Sequence, residues 1–473
     1  MKILIYTNPW ITNGMPSRKS GWFFMLCNFV DSFDAERYFF HICTGVSADL
    51  SDDFLCEMKK RQNCNVSAIS QKELKEIFPN YMDAHKKEHK DLCSKEEMLS
   101  MVGLLRKKLN GFNPDIILHF GALRAPALRE LFPKAPLIFY EISILNSIGL
   151  YPKAWYLDVC GAQNYSFTSV FYKEILNIKI DNENKREFLN SIRKTYICTI
   201  LKGTPLRRED LDPDKKFKYI VFLPLESSMQ PNFFNHTGFI TQFDLISYIL
   251  DRLDPEIGLV VKEHVSGSKK NSLVKDGINY LRETYPNFIF IDKIKSSLCG
   301  SNFLLSLSDA LITVSSTMGM QCLLWEKAFF VIGDLYIKHY ADGSKIEEIK
   351  DILSQEYKSK DGALYYLLNH YYVPNEKFLD PQWMEGFFNK AIQRHNKIGF
   401  DFYTPIDTPG NILSFYLNNK KRIRVFKLLS MYERIEMRFP VFQHTKPLFF
   451  KVNAALKVIA RVFKRHPSQA STS

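Results

Sequence analysis

The sequence predicts an α/β protein of two Rossmann-like domains facing a cleft, followed by a basic helical tail. Three observations lead there. Short β-branched or aromatic runs alternate with amphipathic stretches, the pattern of parallel sheets covered by helices. The series occurs twice, on either side of a polar passage. The chain has 473 residues, 46% of them hydrophobic, whereas a single core tends to stop growing near roughly 250 to 300 residues.

In the first series the strand candidates are Ile3–Tyr6, Tyr38–Ile42, Ile116–Phe120 and Leu137–Tyr140, with helices expected over Gly21–Phe33 and Glu97–Leu109. These define a first domain over residues 1–201. The stretch 202–218 is dense in charged and turn residues and reads as a linker. The second series has strands at Tyr219–Leu223, Ile257–Val261, Phe288–Ile291, Ala310–Val314 and Ala328–Ile332. Its helices fit Ile240–Leu253, Asn271–Tyr285, Leu298–Ser306 and Met318–Trp325, giving a second domain over 219–400 and a tail over 401–473.

Charge and cysteine usage narrow the class. Nine cysteines, widely scattered and never in a C-x-x-C pair, suggest neither a disulfide framework nor a thiolate metal site, and a reducing cytoplasm is expected. The apolar start Met1–Tyr6 is closed by Asn8-Pro9, too soon for a signal segment, and no apolar run reaches the roughly 20 residues of a spanning helix. Of the net charge of +12, Lys420–Arg465 contributes +11, with 13 Lys or Arg against Glu433 and Glu436. A near-neutral body with one basic appendage points to attachment at an anionic membrane surface rather than to nucleic acid. A tail helix packed back across the domains is the competing expectation.

In open parallel sheets, ligands sit beyond the carboxyl ends of strands. The strand Gly258–Val261 ends in Lys262-Glu263-His264, a cation and an imidazole able to donate to a phosphate. The strand Leu311–Val314 runs into Ser315-Ser316-Thr317-Met318-Gly319 and an apolar helix, offering hydroxyls and helix N-terminal N–H groups to an anion. Each turn alone also reads as a solvated strand end or an ordinary cap. Two of them on one edge of one sheet point to a nucleotide-phosphate site formed by Lys262, Glu263, His264, Ser315, Ser316, Thr317 and Gly319. In the first domain Glu141 and Asp158 follow apolar strand-like residues and are the acid/base candidates, with loop-capping carboxylates as the alternative.

The order of Tyr219-Ile-Val-Phe-Leu-Pro-Leu-Glu226, a helix carrying Gln242 and Asp244, Val260-Val-Lys-Glu-His264, and Thr313-Val-Ser-Ser-Thr-Met-Gly319 through Gly333 resembles the bacterial capsule polysaccharide biosynthesis family. Upstream, Glu141–Leu150 and Asp158–Tyr165 are similar to two further segments of that family, so the likeness spans about residues 115 to 335. The resemblance implies a GT-B type glycosyltransferase, Kdo-transferase-like, taking a CMP-linked sugar without metal or cofactor and acting on a glycan or glycolipid acceptor. It also implies a catalytic carboxylate soon after Tyr219–Leu223. There the sequence departs from the family: Ser-Ser-Met-Gln-Pro-Asn232 follows Glu226, which leaves Glu226 as the carboxylate available, and Val265 stands where the family's K-E-H-P has proline. A sugar-nucleotide epimerase and a non-catalytic glycan-assembly protein stay open as alternatives. With the basic tail Lys420–Arg465, the expected location is the cytoplasm, peripheral at the inner face of the cell membrane.

Other motifs carry less. Asp210-Leu-Asp212 satisfies D-x-D but sits in the charged linker, and His85–His89 lies in a lysine-rich run that reads as solvated surface. No G-x-x-x-x-G-K-[ST], G-x-S-x-G or H-E-x-x-H occurs.

Overall fold

The computed structural model describes residues 1–7, 19–45, 58, 60–121, 124–143, 145, 150–226, 231–264, 273–295 and 297–438. Two sheets organise them. The first holds β1 (Lys2–Thr7), β2 (Phe39–Gly45), β3 (Cys64–Ile69), β4 (Ile116–Phe120), β5 (Leu137–Ile142), β6 (Ala154–Asp158) and β12 (Tyr372–Pro374), in the order β12-β6-β5-β4-β1-β2-β3. The second holds β7 (Tyr219–Pro224), β8 (Ile257–Lys262), β9 (Phe288–Phe290), β10 (Ala310–Thr313) and β11 (Ala328–Val331), in the order β11-β10-β7-β8-β9, all parallel. Ile3, Leu4 and Ile5, like Ile220, Val221 and Phe222, are fully buried, as strands covered by helices on both faces require. The α/β class with two Rossmann-like sheets is therefore the one that the sequence predicts.

The structure departs from the expected layout in three places. The first sheet is parallel only from β5 to β3; β6 and β12 pair antiparallel at its edge. The strand β12 lies inside the span 219–400 expected to form the second domain, so the chain returns to the first sheet before its end. The boundary at 201 falls within the helix Glu183–Gly203. That helix packs on the second-domain helices Gly300–Leu307 and Met318–Trp325 and on the later helices Pro409–Leu417 and Lys420–Arg438.

The expected linker is likewise part of the packed structure. Arg208 forks onto Asp309, whose Oδ2 also accepts from the Ile220 N–H at 2.7 Å. In the D-x-D motif, Asp210 accepts from the Arg207 N–H and Asp212 from the N–H groups of Lys216 and Phe217, which accounts for both carboxylates as turn formers.

The first half of the basic tail is the helix Lys420–Arg438. Its inner side carries Phe426, Ser430 and Glu433, all buried, while Lys421, Arg424 and Lys427 face outward beside exposed Val425, Leu428, Met431 and Ile435. This much of the tail packs back across the domains. Residues 439–465 of the expected membrane segment lie outside the described residues. No helix among the described residues is long and apolar enough to cross a membrane.

Candidate functional site

The carboxyl ends of β10, β7 and β8 lie side by side in the second sheet. Strand β7 ends at Pro224, in register with Lys262 of β8, and the Leu225 N–H donates to the Lys262 carbonyl at 2.8 Å. One residue further on, Glu226 is buried. Its Oε1 accepts from the Ser315 N–H at 2.8 Å and its Oε2 from the Ser315 hydroxyl, which closes the exit of β7 against that of β10. Burial pushes the Glu226 carboxyl above its ordinary value and the two Ser315 donors pull it back.

The turn after β10 is knitted locally. The Ser316 N–H donates to Thr313 Oγ1 at 2.9 Å, and the Ser316 hydroxyl oxygen accepts from the Met318 N–H at 3.3 Å. Thr317 is exposed and its side chain makes no capping bond to the helix Met318–Trp325. Gly319 lets that helix approach the sheet: a Cβ there would stand 3.2 Å from both Phe329 and Thr313. Ser315 thus faces Glu226, whereas Ser316 and Thr317 lie toward solvent.

The Lys262-Glu263-His264 segment splits in the same way. Lys262 is buried and its Nζ donates to the Glu263 carbonyl at 3.1 Å. Glu263 is also buried, accepting from the Leu273 N–H at 2.8 Å and pairing with Lys295 at 3.1 Å. His264 is exposed. The expected ammonium donor is therefore turned into the protein, and the imidazole is the group of the three that faces outward.

On the first sheet, β5 and β6 run antiparallel and set Glu141 opposite Tyr156, whose hydroxyl donates to Glu141 Oε2 at 3.0 Å. Burial raises the Glu141 carboxyl and the tyrosine lowers it. Asp158 is fully buried and accepts four hydrogen bonds: from Cys160 N–H at 2.8 Å, Gly161 N–H at 3.0 Å, Phe167 N–H at 2.7 Å and the Tyr371 hydroxyl at 2.6 Å. Burial outweighs these donors and brings its carboxyl up to about 6. Its four partners make Asp158 the organiser of the 158–167 loop.

That loop carries the link between the domains. Gln163, held at a φ of 50°, places its Oε1 2.8 Å from His236 Nε2, and His236 Nδ1 lies 2.6 Å from the Asp334 carbonyl oxygen. The Asn164 amide donates to the same carbonyl at 3.0 Å. Tyr336, just after β11, is close enough to Glu141 and Asp158 for both carboxylates to add to the upward shift that burial gives its hydroxyl. Between these groups lies a slot lined by Tyr156, Gln163, Met320, Tyr336 and Tyr371, with room for about one water.

His236, Gln163 and the helix Tyr81–Lys90 are the functional-site neighbours that sequence reasoning missed. His85, Glu88 and His89 are buried, not solvated: His85 Nδ1 lies 2.8 Å from the Asn235 amide nitrogen, and the His89 ring meets His236 edge-on at 4.7 Å. Burial lowers His85 and His236 to about 4, so both are neutral near pH 7. The available signal was periodicity. Ala84, His85, Glu88 and His89 share one helical face and Lys86 and Lys90 lie on the other. Gln230 lies outside the described residues. Among the described residues no three His, Cys, Asp or Glu side chains group as metal ligands.

No known family profile matches the chain, and no curated protein matches its sequence. Solved structures do resemble it. The beta Kdo 2,7 transferase of KpsC from Thermosulfurimonas dismutans is 14% identical, with 81% of this chain and 99% of that one covered and a TM-score of 0.42. The beta Kdo 2,4 transferase of the same KpsC is 16% identical over 58% of this chain and 86% of that one, with a TM-score of 0.33. A UDP-GlcNAc 2-epimerase from Methanocaldococcus jannaschii, in complex with UDP-GlcNAc and UDP, is 11% identical over 77% and 98%, with a TM-score of 0.29. At these scores the likenesses carry no assignment, and the two-sheet architecture rests on the chain's own strands.

Proposed function

We propose that this chain is a metal-independent, GT-B type glycosyltransferase that moves a sugar from a nucleotide donor to a capsule or other surface polysaccharide or its lipid-linked precursor. The observation that carries the reading is the junction of Glu226 with Ser315, which puts a buried, oriented carboxylate beside a helix-starting turn at the carboxyl edge of a parallel sheet. Such a turn suits a phosphate. Ser316, Thr317, the N–H groups at the start of Met318–Trp325 and His264 hold the donor phosphate, with Ser315, Gly319, Lys262 and Glu263 shaping that edge.

The chemistry needs a carboxylate at the anomeric carbon and a base for the acceptor hydroxyl. Glu226 takes the first role, as nucleophile or as stabiliser of the developing positive charge, because Ser315 fixes both its oxygens. Glu141 takes the second, since its raised carboxyl suits it to receive a proton. Asp158 acts through the loop it holds. The resemblance of Lys262–His264 and Ser315–Gly319 to the capsule family supports CMP-Kdo as donor. The basic segment Lys420–Arg465 supports a place at an anionic membrane surface on the inner face of the cell membrane, near a glycolipid acceptor.

The test is donor turnover. Incubated with CMP-Kdo and no acceptor, the protein slowly releases CMP, and Glu226→Gln abolishes the release. Conversion of UDP-GlcNAc at carbon 2 would replace this reading with an epimerase, and turnover of neither, without nucleotide binding, would leave a glycan-assembly protein.

A further inference from the structure

The buried Lys262 side chain has a neighbour from far along the chain. It passes over Gly300, where a Cβ would collide with Lys262 Cε and crowd Ser297 at 3.1 Å. The segment Ser297–Cys299 that leads into the helix Gly300–Leu307 is held by one side chain of the tail helix. Glu433 accepts from the Ser297 hydroxyl at 2.7 Å, from the Leu298 N–H at 2.6 Å and from the Cys299 N–H at 3.4 Å. Cys299, at the cap position, makes no side-chain capping bond to the helix. A carboxylate from more than 130 residues away thus fills the helix N-terminus, where the backbone dipoles favour negative charge. Burial and the adjacent Glu433 push the Cys299 thiol up while Lys262 pulls it down, which puts the ammonium, the thiol and the carboxylate in one buried cluster.

Glu433 itself is fixed. Phe426 packs edge-on against Phe303, Ser430 closes on Gly203, and Arg434 donates to the Lys202 carbonyl at 2.8 Å. The tail helix is therefore anchored to the long helix Glu183–Gly203 on one side and to the segment Ser297–Cys299 beside the Lys262 stem on the other.

We propose that Glu433 is a positioning residue of the donor site: by holding Ser297–Cys299 against the Lys262 stem, it fixes the end of β8 and with it the placement of His264. The proposal rests on the nucleotide-site reading for its functional consequence, though not for its structural one. The tail would then be required for donor binding and not merely for attachment.

Two variants separate positioning from bulk stability. Glu433→Gln keeps the shape and removes the charge that three donors share; Phe426→Leu loosens the same helix and leaves Glu433 in place. In nucleotide-free protein, Glu433→Gln is expected to speed amide hydrogen exchange at Lys262–His264 about tenfold, with Phe426→Leu leaving it unchanged. With CMP as the probe, Glu433→Gln is expected to weaken binding about 5- to 10-fold, and with CMP-Kdo to raise KM by a similar factor with kcat changed less than about twofold. Faster exchange confined to Ser297–Cys299, or equal effects of the two variants, would overturn the proposal. If wild-type protein binds no nucleotide, the donor reading fails, and the exchange measurement still decides the role of Glu433.

Discussion

Replacing Glu226 separates the two jobs that its position gives it. In Glu226→Ala, the Ser315 N–H and hydroxyl, buried with about 8% of the residue exposed, lose the acceptor to which both donate. Each buried unsatisfied group costs about 1–3 kcal/mol, so with two such groups the variant should lose ~2–6 kcal/mol. In Glu226→Gln, the amide oxygen can still accept from the Ser315 N–H, and the Ser315 hydroxyl can turn round to accept from the new amide. The lost charge also removes the burial cost that raises the Glu226 carboxyl. The net change should stay within about 1 kcal/mol. Chemistry is lost whatever the effect on stability: an amide is neither nucleophile nor charge stabiliser, and in Glu226→Gln CMP release from CMP-Kdo should fall by about 10³-fold or more. Urea unfolding midpoints and single-turnover release, measured on both variants, give the two numbers. A Glu226→Gln protein that turns over donor within about tenfold of wild type would refute the catalytic role, and one as unstable as Glu226→Ala would refute the hydrogen-bond account.

Arg193→Met should cost about 3–5 kcal/mol by urea denaturation, because this buried guanidinium joins Asp361 to the carbonyls of Leu323 and Leu324 at the end of the helix begun by the Ser315–Gly319 turn, and its removal strands a carboxylate and two acceptors. Asp158 makes a prediction about pH. Its folded carboxyl at about 6 lies above the ordinary 3.8, so the folded protein binds the proton more tightly, and the contribution is full below about pH 4 and is lost as pH climbs through 6. The stability difference between wild type and Asp158→Asn should therefore change by about 2 kcal/mol between pH 4 and pH 7, with wild type relatively more stable at the acid end. A flat difference would contradict it.

The strands that bear the Glu226–Ser315 junction were legible because β7, β8, β10 and β11 are short, buried on both faces and closed by sharp polar turns. Glu226, Lys262 and Ser315 were placed on the right strand ends by the same logic. What the sequence hid follows from packing. Cys64–Ile69 is an edge strand, half polar, and lacks the apolar run of its neighbours. Tyr372–Pro374 has three residues and joins a sheet whose nearest partner in sequence, β6, lies more than 200 positions earlier. The helix Glu183–Gly203 is packed by several other helices, so its buried set of Phe188, Ile192, Arg193, Tyr196 and Ile200 includes a charge. His85 and His89 looked solvated because the lysines beside them are, and only the contact with Asn235 and His236 from the other domain decides their burial. Lys262 read as a phosphate donor, whereas its Nζ turns back to the Glu263 carbonyl and its stem is enclosed by Gly300 and the Cys299–Glu433 cluster, distant in sequence.

The proposed function requires that the edge formed by β8 and β10 bind a nucleotide. Calorimetric titration with CMP of wild-type protein and of the double variant His264→Ala, Thr317→Ala tests it directly, since both residues are exposed and the Thr317 side chain makes no capping bond. The account predicts saturable binding by wild type and a loss of about tenfold or more in the double variant, at unchanged unfolding midpoint. Equal CMP affinity in the two proteins would contradict it.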